Sequence, residues 1–463
     1  MINPNQSGGQ KDRLLLKIRN GEEMTIGEQA RLALLLSIPA ILAQLSSVMM
    51  SYIDSAMVGK LGAAQSASIG LVSTSTWIIG GFCMASINGF TVQVAHLIGS
   101  NDLRKARGLL RQALAVILVI AAVIASIAMA ISGGLPHWLG GGEDICADAS
   151  AYVRIYSSFV PAFTLSYFGS SMLQSSGNMK VPSILNVMMC VMDVCFNYLF
   201  IYVCGMGVRG AALGTGTAEA VTAVLMLYFL LVRSPELSLR KEGGSFMPQW
   251  NSLRRAFGIS GPLYIQNIVT HGAHIVATLI IAPLGTISIA ANSFAITAES
   301  ICYMPGYGIS DAARTLIGQS LGAKRKSLAK QFARINIFMG AGIMTLLAVL
   351  MFILAPQIMA MLSIDGDVVA LGAKMLRIEA FAETLYACSI VAYGCCVGAG
   401  DTLVPSAMNL VSMWVVRIGL ALFLTPRLGL TGYWVAMCIE LNVRGLIFLW
   451  RVRGERWMKN VLT

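Results

Sequence analysis

The chain has 463 residues, 56% hydrophobic and only 12% charged, with a formal net charge of +11 and a mean hydropathy of +0.72. That is more apolar side chain than a water-soluble fold can bury, so a lipid bilayer has to act as its solvent. The excess of positive charge does not point to nucleic acid, because it is gathered into short clusters between long apolar runs.

The first thirty residues are polar and hold no apolar core of the signal-peptide kind, so the first span is expected to be its own insertion signal. Crossing a hydrocarbon core takes roughly 20 apolar residues. Runs of that length predict helices at 32–57, 66–97, 113–133, 151–173, 182–203 and 210–232. A polar connection over 233–255, with Arg233, Pro235, Arg240, Gly243 and Pro248, leads to a second set at 256–281, 287–319, 335–362, 375–398, 405–425 and 430–450. The fold expected is therefore an all-α integral membrane protein of twelve transmembrane helices in two six-helix bundles, 32–232 and 256–450. An N-terminal segment, 1–31, and a basic tail, 451–463, flank them.

Arg104, Lys105, Arg107 and Arg111 follow span two, Lys324, Arg325, Lys326 and Lys330 follow span eight, and Arg451, Arg453, Arg456 and Lys459 close the chain. The connections after spans three and seven have no Lys or Arg, and the first of them carries Glu143, Asp144 and Asp148. The positive-inside rule then puts both termini in the cytoplasm of a cell whose inner membrane holds the protein, with the basic clusters beside anionic lipid. Of the ten cysteines, only Cys146 and Cys204 are placed to meet outside as a disulfide.

Sliding the sequence by 223 residues aligns Pro39 with Pro262, Gly62 with Gly285 and Gly99 with Gly322. The same shift aligns Arg154 with Arg377, Gly177 with Gly400, Pro182 with Pro405 and Asn186 with Asn409. These are two copies of one unit, and because six is even both enter from the same side. A pseudo-twofold axis along the membrane normal is expected, with substrate held between the halves.

Ionisable groups inside spans are costly, so each needs a partner or a purpose. Glu440 and Arg444, four apart, and Asp311 and Arg314, three apart, are expected to pair. Asp54 and Asp193 have no basic residue within a turn; Asn197 lies one turn beyond Asp193, and Thr215 near the outer end of span six. Two carboxylates, an amide and a hydroxyl make a hard-oxygen cluster for a small cation or a proton. The shift carries Asp54, Asp193 and Asn197 onto Ala277, Val416 and Leu420, so the second copy has no such cluster. Met50, Tyr167, Ser170, Met192, Glu299, Glu379 and Glu383 are expected to line a substrate cavity. His271 and His274 lack a third ligand at helical spacing and so do not read as a metal site.

Ordered along the chain are Pro39 with Asp54-Ser-Ala-Met-Val-Gly-Lys-Leu-Gly62, Gly177-Asn-Met-Lys-Val-Pro182 running on to Asn197-Tyr-Leu-Phe-Ile201, and Gly207-Val-Arg-Gly-Ala-Ala212. Pro305 through Ile317-Gly-Gln-Ser-Leu-Gly-Ala323 completes the set. Over nearly its full length the chain thus resembles a multidrug and toxic compound extrusion (MATE) transporter. The resemblance implies a drug leaving in exchange for sodium or protons, with Asp54 as the acid that loads the ion, Pro39 as a bending point and Thr215 as a hydroxyl ligand. The family pattern in helix five is Asn then Asp; here the order is Asp193 then Asn197. The acids that a second branch uses in helices seven and ten read Thr270 and Tyr386, which points to the DinF-like branch.

The function expected is a cation-coupled antiporter, driven by Na+ or H+, that exports small organic and often cationic compounds. It is expected to be a monomer with no cofactor beyond the coupling ion, lipid around it and no nucleic-acid partner. The alternative is a flippase or exporter of a lipid-linked or endogenous metabolite. An enzyme is not expected, since no Asp-rich loop, zinc motif or nucleophile with its base stands at usable spacing.

Overall fold

A computed structural model of the chain describes residues 9–241 and 244–458, apart from the side chains of Ala63, Asp144 and Lys241; Gly243 and Lys459 lie outside the described residues. All regular structure among those residues is helical. A short helix, α1 (Gln10–Asn20), precedes α2 (Ile26–Gly59), α3 (Ala63–Gly99), α4 (Leu103–Ile131), the single turn α5 (Leu135–Trp138), α6 (Glu143–Ser175), α7 (Lys180–Tyr198) and α8 (Gly207–Tyr228). Then come α9 (Trp250–Ile281), α10 (Thr286–Gly322), α11 (Lys326–Leu362), α12 (Gly366–Glu379), α13 (Glu383–Gly398), α14 (Leu403–Val411), α15 (Gly419–Leu428) and α16 (Leu430–Arg453).

Among the described residues eight segments are long and apolar enough to cross a membrane unaided, the last of them running from α14 through a π-helical turn, Ser412–Ile418, into α15. A ninth is formed by α12 and α13 together, bent by 60° at their junction. The remaining long helices, α6, α10 and α16, run for 33, 37 and 24 residues and carry more polar or charged side chains. With them the chain is a twelve-span, all-α membrane protein.

Two compact units divide the chain inside helices, not within the 233–255 connection. One unit runs from Leu45 to Tyr264; the other takes the chain up to Gln44 and from Ile265 onward. The reason is local anchoring. The first part of α2 is held in the second unit: Gln29 Nε2 donates to Gln331 Oε1 at 2.7 Å and Gln44 Nε2 to Asp311 Oδ2 at 3.2 Å. In the same way the start of α9 belongs to the first unit, where Gln93 Nε2 donates to the Ser252 carbonyl at 3.2 Å and the Ser86 and Tyr264 hydroxyls meet at 2.5 Å. The first unit's core is built on Ile87, Phe90, Ile117, Phe168 and Met172, the second's on Met351, Met375, Leu376 and Trp434.

The repeat is written into the backbone. Asn101 and Lys324, the two non-glycine residues with positive φ among those described, both stand at +60° and are one repeat apart. Gly62 (+127°) and Gly285 (+91°), and Gly177 (+88°) and Gly400 (+76°), turn the chain at equivalent points in a region that favours glycine. The expected disulfide is absent: Cys146 is a buried free thiol and Cys204 an exposed one.

Candidate functional site

Asp193 and Asn197 stand one turn apart on α7 and share a face, which packs on α8. The close approach of the two helices is made possible by Gly214, where a Cβ would collide with the Asn197 side-chain oxygen and lie 2.8 Å from its backbone nitrogen. The Asn197 amide is the hub: Nδ2 donates to Asp54 Oδ1 at 3.0 Å, to Asp193 Oδ2 at 3.1 Å and faces Thr215 Oγ1 at 3.5 Å. The structure therefore brings together, within the first unit, all four residues that the sequence singled out as cation ligands.

Burial is graded across the cluster. Asp193 is fully buried and Asn197 nearly so, whereas Asp54 and Thr215 are half-buried. Asp54 is thus the more accessible of the two acids. Asp193 Oδ1 and Asn197 Oδ1 are buried and have no hydrogen-bond partner among the described residues. A buried acceptor without a donor is expensive. One neutral amide and one hydroxyl do not balance two carboxylates, and the groups able to hold a ligand here are oxygens.

Of the expected cavity residues, Met50 and Met192 are half-buried in the first unit, Tyr167 packs against that unit's core, and Ser170 is buried. In the second unit a cavity of about 350 Å³ lies among α9, α10, α13, α16 and the turn after α14. Glu299 lines it; Glu379 and Glu383 do not, being fully buried where they flank the bend between α12 and α13. All four of their carboxyl oxygens lack a hydrogen-bond partner among the described residues.

The pair Glu440 and Arg444 forms as expected, with Nε to Oε1 at 2.7 Å, and so does Asp311 with Arg314, Nη2 to Oδ1 at 3.9 Å. Sequence spacing missed the third member of the first pair, Arg417, whose Nε and Nη2 donate to Glu440 Oε2 at 3.0 and 2.7 Å. It missed Gly214 as well. His271 and His274 stand with ring centroids 6.3 Å apart, and among the described residues no three His, Cys, Asp or Glu side chains converge on a metal position.

The family model described as MatE matches residues 39–199 and again 262–423, so its two copies begin at the two repeat prolines. The chain is 24% identical, over 94% of its length and 96% of the other's, to a probable multidrug resistance protein NorM of Chromobacterium violaceum. It is 22% identical to the multidrug resistance protein MdtK of Yersinia enterocolitica, covering 92% of this chain and 95% of that one. A crystal structure of the Vibrio cholerae MATE transporter VcmN in the bent form superposes with a TM-score of 0.84 at 19% identity, over 94% of this chain and 99% of that one.

Proposed function

This chain belongs to the MatE family, and on that premise we propose that it is an antiporter of the inner membrane that exports small organic compounds, many of them cationic, in exchange for Na+ or H+. It is a transporter and not an enzyme. The observation that carries the coupling is the Asn197 amide, which ties Asp54 to Asp193 and leaves two buried oxygens unpartnered. A bound cation or proton supplies the charge that the cluster lacks, and Asp54, half-buried, receives it first.

Asp54 and Pro39 lie on the same helix, α2, which runs unbroken through the proline. Pro39 removes one backbone hydrogen bond, so the helix is weakest there and can bend as Asp54 changes partners. Coupling needs only that the ion favour one conformer over the other, as in any population shift. The placement of the acids in the first unit, with Thr270 and Tyr386 in the second, supports the DinF-like branch.

The test is export of ethidium from cells expressing the chain, with sodium and the proton gradient varied independently, beside Asp54→Asn. Sodium-dependent export lost in the variant supports sodium antiport, and uncoupler-sensitive, sodium-indifferent export lost in it supports proton antiport. Export by Asp54→Asn at the wild-type level sinks the proposal.

A further inference from the structure

Two cations of the second unit stand on its surface without an acid to meet them. Lys374 and Arg377 are three apart on α12, so they share one face of that helix, and both are exposed. Among the described residues, ion pairs in this unit take up Arg314, Lys330, Arg417, Arg444 and Arg451 and leave these two out. Glu379, the nearest acid in sequence, is fully buried on another face, and Asp367 lies two turns back toward the start of α12. Arg377 leans instead on α11: its Nε donates to the Phe352 carbonyl at 3.4 Å and its guanidinium stands 5.7 Å from the centre of the Phe352 ring. On the topology expected from the basic clusters α12 enters from outside, where the positive-inside rule calls for few cations, so setting the orientation does not explain the pair.

Beside the pair lies a groove of about 320 Å³ bounded by α11, α12 and α16. Phe352, Phe381, Val435 and Ile439 give it an apolar wall, and no acid lines it. Phe352 and Phe381 meet edge-on, with ring centroids 5.8 Å apart. Val349, one turn before Phe352, and Leu446, two turns after Ile439, are exposed as well, so the groove opens on an apolar face of the kind a bilayer covers. A cation at such a face reaches toward the phosphate level of the membrane, with its stem along the apolar surface. Arginine and lysine side by side are donors for a phosphate, and the apolar wall below them suits a chain of methylenes.

We propose that this groove is a binding site for one anionic phospholipid, with the phosphodiester on Lys374 and Arg377 and the start of an acyl chain against Phe352 and Ile439. The site stands apart from the acid and amide cluster of the first unit and does not depend on the exporter reading. The 223-residue shift supplies an internal control. It carries Arg377 onto Arg154, which is also exposed, but Lys374, Phe352 and Phe381 onto Ala151, Met129 and Ser158. The first copy therefore keeps the charge without its companions.

The test measures binding of the first lipid to the delipidated full chain in neutral detergent, by native mass spectrometry, with dioleoylphosphatidylglycerol and dioleoylphosphatidylcholine as probes. Each basic residue near a membrane surface favours an anionic lipid by about fivefold, so the glycerol lipid should bind roughly thirtyfold more tightly than the choline lipid. Lys374→Gln and Arg377→Gln should each remove about fivefold of that preference, and Arg154→Gln none of it. Because Arg377 also holds the Phe352 carbonyl, Lys374→Gln, which breaks no hydrogen bond, decides the matter if Arg377→Gln fails to fold. Inorganic phosphate at the lipid's concentration should not displace the glycerol lipid, since it has no chain for the groove. Equal binding of the two lipids by the wild type, a preference untouched by Lys374→Gln, the same loss in Arg154→Gln, or displacement by phosphate overturns the proposal.

Discussion

Gly214→Ala adds one methyl group at the point where α8 crosses α7. That methyl meets the Asn197 side-chain oxygen and lies 2.8 Å from the Asn197 backbone nitrogen and 2.9 Å from its Cα. Backbone cannot rotate away, so the helices must part by about half an ångström to reach ordinary contact. The Asn197 amide reaches Thr215 at 3.5 Å and Asp54 at 3.0 Å, so such a shift breaks the first contact and strains the second. Losing one hydrogen bond between neutral groups costs about 0.5–1.5 kcal/mol. The half-saturating concentration of the coupling ion should therefore rise roughly twofold to tenfold. Gly216→Ala is the matched control, adding the same methyl on the same helix but against the Phe159 ring and not against Asn197. The assay is efflux rate against sodium concentration, or against pH, in proteoliposomes, with thermal unfolding recorded beside it. An unchanged half-saturation in Gly214→Ala, or an equal rise in both variants, would refute the argument that this glycine sets the site's geometry.

Ligand deletions should be graded by burial and distance. Asp193→Asn removes the fully buried carboxylate and should abolish ion-coupled efflux, whereas Thr215→Ala, whose bond is long, should weaken ion affinity less than about tenfold. Equal losses would mean that the hydroxyl is a full ligand. Glu440→Gln leaves Arg417 and Arg444 without their counter-charge in a buried place and should destabilise the second unit by about 3–5 kcal/mol. A melting temperature equal to the wild type would show the triad to be solvated. Cys204 is exposed and follows a span expected to run outward, so a membrane-impermeant maleimide added to intact cells should label it. Labelling only after permeabilisation would reverse the topology.

Much of this was legible along the chain. Apolar runs located the spans, because a bilayer demands about 20 such residues for each crossing. Helical spacing found Asp193 with Asn197 and Glu440 with Arg444, since partners one turn apart on one helix need no knowledge of packing. What stayed hidden lay between helices. Arg417 reaches Glu440 across 23 residues and from a π-helical turn, and no periodicity links the two. Gly214 is one of several small residues in span six, and its role depends on what α7 presents opposite it. The 60° bend between α12 and α13 has neither glycine nor proline at Ala380, Phe381 and Ala382 to announce it. The compact units likewise divide inside α2 and α9, because the anchoring hydrogen bonds of Gln29, Gln44 and Gln93 join residues far apart in sequence.

The repeat shows which features of a copied bundle are free to change. Turn geometry has stayed, as in Asn101 and Lys324, which share one φ although their side chains have nothing in common. A turn that lost its conformation would misplace a whole helix, so those positions are held by the backbone. Side chains inside the bundles face no such restraint. Asp54, Asp193 and Asn197 correspond to Ala277, Val416 and Leu420, while Arg417 and Glu440 correspond to Val194 and Thr217. Each unit has thus kept polar groups where the other is apolar or uncharged. A buried charge costs several kcal/mol unless it is paired. Glu440 meets that condition through Arg417 and Arg444, whereas Asp193, fully buried, has the neutral Asn197 amide beside it. The first unit's cluster is therefore the costlier of the two to keep, and the one whose persistence needs a reason beyond packing.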